Sequence, residues 1–178
     1  FIMANIAMRT DQNDRAIEIL GQRPKSKQYA EIPYLYFMEG ITRLRRLEQG
    51  TQVHFIQYID SFKGQNFIKE AYQKLGWVAL LEEDQEKYHY WMRQCIGEGS
   101  SDAGPDKHAL MEAQSERIPP LPLLKARLLF DGGYHQQAYD VLAVYAPQDF
   151  PDPYHQLEYT YRMGRVLHGM HRYQAAIL

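Results

Sequence analysis

The stretch FKGQNFIKEAYQKLGW at residues 62–77, followed by EEDQEKYHYWM at 82–92, decides the fold. Phe62-Lys63-Gly64-Gln65-Asn66 breaks one helix and starts another, and the 3.6-residue apolar period after it predicts helices near 66–82 and 84–97. Within this pair lies the pattern Leu75-Gly76-x2-Ala79-x8-Tyr88: a small residue, a position three residues on, and a second marker twelve residues on. Two antiparallel helices approach closely only where a small side chain on the first faces a small one on the second. Glu82-Glu83-Asp84 and Glu86 sit at the junction, where acidic groups favour the N-terminus of the following helix.

The same register recurs outward from this pair. It reads Met3-Ala4-x2-Ala7-x8-Ala16, a degraded copy at Gly40 with Gln52, Ala126-x2-Leu129-x8-Ala138, and Met163-Gly164-x2-Leu167-x8-Ala176. The first small residues, at 4, 40, 76, 126 and 164, lie 36, 36, 50 and 38 residues apart. That spacing is close to the ~34-residue period of a two-helix repeat. Gln52 and Tyr88 depart from the small second marker. The long interval is accounted for by residues 97–105, GEGSSDAGP, read as a flexible loop, and by PDKHALMEA at 105–113, read as an extra short helix. Ile118-Pro119-Pro120-Leu121-Pro122 then forces an extended turn.

The expected architecture is therefore all-α, one solenoid over 1–178, with repeats at about 1–24, 33–62, 66–97, 121–147 and 154–178 and an insert at 98–120. Expected helices run near 1–9, 13–22, 33–48, 51–62, 66–82, 84–97, 106–116, 121–131, 134–146 and 154–169, with another starting near 172. Asp11, Asn13 and Asp14 are expected at the cap before Arg15-Ala16, Pro33, Pro122 and Pro153 in first turns, and Gly132-Gly133 at a helix end. The chain stops at Ala175-Ala176-Ile177-Leu178 inside an expected helix with no capping residue, so a fragment of something longer is expected. Its last helix pair would then expose an apolar strip including Met163, Val166 and Leu167, through which end-to-end self-association is expected.

These residues resemble the tetratricopeptide repeat (TPR) family, and more narrowly a group of bacterial TPR proteins mostly lacking an assigned function. The likeness covers nearly the whole chain and rests on PYLYFMEGI, FKGQNFIKEAYQKLGW, EEDQEKYHYWM, PDKHALMEA and LLKARLLFDGGY. It implies a right-handed superhelix of paired helices, no cofactor, no catalytic residue, and protein or extended-peptide binding in a groove. The family's Trp at the first marker is absent, with Tyr36, Tyr72, Pro122 and Thr160 in its place.

Composition is consistent with that reading. An apolar share of 45% with 24% charged residues describes a folded chain, and a net charge of −2 lacks the basic excess of a nucleic-acid surface. No stretch has the apolar length of a membrane-spanning helix, so direct membrane insertion is not expected. A single cysteine, Cys95, excludes an internal disulfide and a Cys-rich zinc site. His168-x2-His171 straddles an expected turn without a third ligand, and His135 takes a tyrosine position of the repeat, so packing or surface roles are expected and no metal. Arg43, Arg45 and Arg46 form the main basic cluster, read as a solvated helix end. Tyr34, Tyr36, Tyr88, Tyr90, Tyr159, Tyr161 and Tyr173 recur mostly at helical spacing, which favours packing over groove contacts.

The functional expectation is a non-enzymatic scaffold; the rival is a helical arm of a larger enzyme or regulator whose active domain lies elsewhere. In a superhelix of this type the residue after each small marker faces the groove: Asn5, Ile41, Trp77, Arg127 and Arg165. The positions three before the marker add Phe1, Phe37, Gln73, Leu123 and Tyr161. Among these, Gln73, Trp77, Arg127, Tyr161 and Arg165 are the partner-binding candidates, with the arginines gripping carboxylates and Trp77 and Tyr161 as apolar anchors. The alternative puts Trp77 in the core and pairs the arginines with Glu158 and Asp131.

Overall fold

The computed structural model describes residues 2–22 and 32–177, so Phe1, the last part of the expected first repeat, and Leu178 lie outside it. Among the described residues there are ten α-helices and no strand. They are α1 (Ile2–Arg9), α2 (Asn13–Gly21), α3 (Tyr34–Arg45), α4 (Gln52–Ser61), α5 (Ile68–Leu81), α6 (Gln85–Gly97), α7 (Gly104–Gln114), α8 (Leu121–Asp131), α9 (His135–Leu142) and α10 (Pro153–Gly169). Short 3-10 turns follow at Pro147–Asp149 and Ala175–Ile177, the second standing where another helix was expected.

Helix ends follow local chemistry. The Asp84 carboxylate accepts from the Lys87 N–H (2.9 Å) to cap α6, and Asp152 accepts from the His155 N–H (3.0 Å) to cap α10. Helix α8 closes on Gly133 at φ +82, whose N–H donates to the Phe130 carbonyl. Several ends differ from expectation, and α9 stops at Leu142 rather than near 146. Helix α3 stops at Arg45 because Leu47 turns left-handed at φ +57. Gln12, not Asp11 or Asn13, holds the N-cap of α2. The Asn13 amide is spent elsewhere, donating to the Thr42 carbonyl (2.7 Å) and to the Tyr134 hydroxyl (3.1 Å).

Sequential helices pack on one another from α1 to α6 and from α8 to α10, while α7 packs on both α5 and α6. The small residues stand at the close approaches. A Cβ on Gly40 would fall 2.7 Å from the ring of Phe55, and one on Gly76 would fall 2.8 Å from the Met92 methyl and 3.3 Å from Tyr88. Ala4, Ala16, Ala126 and Ala138 are all buried. The main core gathers Phe37, Phe55, Tyr58, Leu75, Trp77 and Tyr88, and a second gathers Leu123, Leu129, Leu142, Phe150 and Tyr159. Buried tyrosines keep their hydroxyls paired: Tyr58 donates to the Asn66 carbonyl and Tyr159 to the Tyr145 carbonyl, both at 2.7 Å. Lys69, also buried, donates to the Cys95 and Ile96 carbonyls at the end of α6. Burial pushes the neighbouring Cys95 thiol up to about 12.

The insert is docked rather than loose. Gly99 lies so near Ile68 that a Cβ would fall 2.8 Å from the Ile68 Cβ, and the Ser100 N–H donates to the Gln65 carbonyl. Asp106 of α7 accepts from the Phe67 and Glu70 N–H groups (2.5 and 3.0 Å) and so caps α5 from outside.

The expected terminal strip is corrected. Val166 and Leu167 are buried and Met163 packs on the second core, because this side of α10 faces α8 and α9. The apolar groups that α10 does expose are Tyr154, Leu157 and Tyr161, one turn apart.

The chain also closes on itself. Helices α3 and α5 both touch α8, and the α1–α2 turn meets the α8–α9 turn. There a Cβ on Gly133 would fall 2.1 Å from the Asp11 carbonyl oxygen, and the Tyr134 hydroxyl donates to the Asp14 carboxylate at 2.6 Å.

Candidate binding site

The first helices of successive pairs, α1, α3, α5 and α8, surround a cavity of about 510 Å³. Asn5, Phe37, Ile41, Trp77 and Arg127, five of the groove positions read from the repeat, line it together. Arg9, Arg45 and Lys74 line it too, with Glu70 and Asp131 as the acidic groups. A second cavity of about 340 Å³ lies between α8 and α10 and is lined by Phe130, Tyr154, Glu158, Tyr161, Arg162 and Arg165. Arg127 and Asp131 line both cavities.

The five candidate residues divide into two groups. Gln73 and Trp77 are buried, and both donate to Glu112 of α7, from the Gln73 amide at 2.8 Å and the Trp77 indole at 2.6 Å. Arg127 reaches the same carboxylate at 3.3 Å and lies over the Trp77 ring, 4.4 Å from its centroid. Glu112 thus ties α5, α7 and α8 together, and Trp77 offers the first cavity only part of its surface. Lys74 also lies over Trp77, at 3.8 Å, and pairs with Glu70 at 3.3 Å. Burial pulls the Lys74 ammonium below its ordinary pKa, with Glu70 opposing.

Tyr161 and Arg165 form the second group, on the open side. The Arg165 guanidinium donates to the Tyr161 hydroxyl at 2.8 Å and lies 5.0 Å from the centroid of Phe130. Arg162 pairs with Glu158, and Arg117 lies over the exposed ring of Tyr154 at 4.4 Å. The arginines therefore take partners other than those foreseen: Arg127 pairs with Glu112, and Arg165 bonds a phenol. Leu123, another groove position, is fully buried in the second core.

Arg45 is the residue whose role the sequence reading missed. Arg43 and Arg46 do reach Glu48 and Asp14 at the surface, but Arg45 turns inward and donates to the Met8 carbonyl at 3.1 Å. Its signal was present in the spacing, since Phe37, Ile41 and Arg45 recur every four residues on one face of α3.

The histidines singled out from the sequence divide between packing and surface, with His168 and His171 exposed. His135 pairs with the Gly169 carbonyl (3.1 Å) and stacks near Phe130, while His168 and His171 both lie against Tyr173. Among the described residues no group of three His, Cys, Asp or Glu side chains is placed to hold a metal ion, and no helix is long and apolar enough to cross a membrane. Compared with family models, with curated proteins and with solved structures, the chain matches none.

Proposed function

We propose that the chain is a non-enzymatic binding scaffold of the TPR type, and that the cleft between α8 and α10 receives an acidic extended segment of a partner protein. The observation that carries this reading is the cleft's makeup. Arg127, Arg162 and Arg165 line it beside the exposed rings of Tyr154 and Tyr161; Arg127 is held by Glu112 and Arg162 by Glu158, so Arg165 is the cation there without an ion pair among the described residues. Arginine binds carboxylates in a bidentate fork, and rigid aromatic rings supply contact area at low entropic cost. The helix pairs at near-regular spacing, with small residues at their crossings, support the solenoid part of the proposal. In this arrangement Gln73 and Trp77 act behind the cleft, holding Glu112 and through it the position of Arg127.

The test is fluorescence anisotropy with a labelled Glu-rich decapeptide carrying one central Leu, and with its Gln counterpart. Wild type binds the Glu peptide, and Arg165→Glu, which removes the exposed Tyr161 hydroxyl bond and the contact with the Phe130 ring, weakens it by about tenfold or more. Equal affinity for the two peptides, or an unaffected Arg165→Glu variant, removes the cleft from the proposal.

A further inference from the structure

We propose that the pocket between α1, α3, α5 and α8, which adjoins the α8–α10 cleft at Arg127 and Asp131, is a second site that binds a small aromatic monocarboxylate. Three observations support this. The first is shape. Because the α1–α2 turn meets the α8–α9 turn at Gly133 and Tyr134, the inner wall forms a half-open pocket with four helices at its sides. Its volume of about 510 Å³ is in the range of small-molecule pockets.

The second observation is an aromatic layer at the base of the pocket. The rings of Tyr34, Phe37 and Phe67 pack on one another with centroids 5.2 to 5.7 Å apart; Phe37, Ile41 and Trp77 are themselves buried, so the half-buried Tyr34 and Phe67 are the rings that a ligand meets. A flat aromatic body fits such a lining through offset and edge contacts.

The third is unbalanced positive charge. Of the four cations on the wall, Lys74 is matched by Glu70 and Arg127 by Glu112. Arg9 and Arg45 form no ion pair among the described residues, and only one of the five donor groups of Arg45 is used, on the Met8 carbonyl. Burial pulls the Arg45 guanidinium below its ordinary pKa, with Asp131 and Asp11 opposing from a distance. A carboxylate would supply an acceptor for the free donors of this half-buried fork. Asp131 and Glu70 on the same wall disfavour a doubly charged phosphate.

This site uses Arg9 and Arg45, which do not line the α8–α10 cleft, so it stands or falls apart from the acidic-segment reading. The experiment is isothermal titration of the intact chain with phenylacetate, phenylacetamide and inorganic phosphate, repeated on Arg9→Gln and Arg45→Gln, with helical circular dichroism as the fold control. Wild type is expected to bind phenylacetate saturably and the neutral amide and phosphate about tenfold or more weakly. Arg45→Gln weakens phenylacetate by a similar factor. Arg9→Gln, at an exposed position, does so in the same direction and decides the matter if the Arg45 variant fails to fold. Absence of saturable phenylacetate binding, equal binding of the amide, tighter binding of phosphate, or an undiminished affinity in Arg9→Gln overturns the proposal.

Discussion

The central helix pairs, α3–α4 and α5–α6, and the flanking pairs, α1–α2 and α8–α9, solve the same packing problem with opposite distributions of volume. In the central pairs the first helix offers a glycine and the second fills the gap with a large side chain: Phe55 over Gly40, Tyr88 and Met92 over Gly76. In the flanking pairs, buried alanines stand at both markers, Ala4 with Ala16 and Ala126 with Ala138. Helix–helix crossings demand a total side-chain volume, not a small residue on each side. Tyr88 and Phe55 are therefore compensations for Gly76 and Gly40. The aromatic filling also enlarges the central core, around Phe37, Phe55, Tyr58 and Trp77, while the α8–α10 end carries a charged cleft.

The contact that joins the two flanking pairs to each other is where the largest effect is expected. Gly133 sits at φ +82 against the Asp11 backbone, where nothing can yield. Gly133→Ala is expected to cost about 4 kcal/mol through left-handed strain and overpacking, seen as a large fall in Tm. A loss below about 1 kcal/mol would mean the two turns do not meet in solution.

Within the central region, Gly40→Ala drives a methyl into a fully buried Phe55 ring and is expected to cost about 3 kcal/mol. Adding Phe55→Leu returns volume and should recover part of that loss in a double-mutant cycle by denaturant unfolding. An additive double mutant contradicts the compensation. Glu112→Ala leaves the Trp77 indole and the Gln73 amide without their acceptor and should cost about 2 kcal/mol, with a shift in Trp emission as an independent sign. The smallest effect belongs to Gly76→Ala. Its main obstacle is the end of the flexible Met92 side chain, and the helix-propensity gain of roughly 1 kcal/mol offsets the crowding, so stability should stay within about 1 kcal/mol of wild type. Gly76→Ala costing as much as Gly40→Ala would show that the two crossings are equivalent after all.

What was legible in the sequence was what local chemistry controls. The all-helical class, most helix boundaries, the inserted helix α7, the acidic junction at Asp84 and the helix end at Gly133 follow from periodicity, capping residues and proline placement, while the cap at Asp152 was not foreseen. The marker register also carried Asn5, Phe37, Ile41, Trp77 and Arg127 onto one cavity wall, because each lies on the same face of its own helix. Contacts between distant segments left no comparable trace. Closure of the α1–α2 turn on the α8–α9 turn depends on the accumulated rotation between pairs, which no spacing reveals. The same holds for the pairing of Asn13 with Tyr134 across 121 positions and of Glu112 with Trp77 across 35. The strip with Val166 and Leu167 was expected to be exposed because the last pair was read as uncovered, whereas these side chains face the preceding helices α8 and α9.

The central claim, that a partner's acidic segment lies between α8 and α10, is tested most directly by an amide-resolved NMR titration of the intact chain with the Glu-rich decapeptide. Shifts are expected at Arg127, Tyr154, Tyr161 and Arg165, with the backs of α4 and α6 unchanged. Shifts confined to α4 or α6, or none anywhere at saturating peptide, would contradict it.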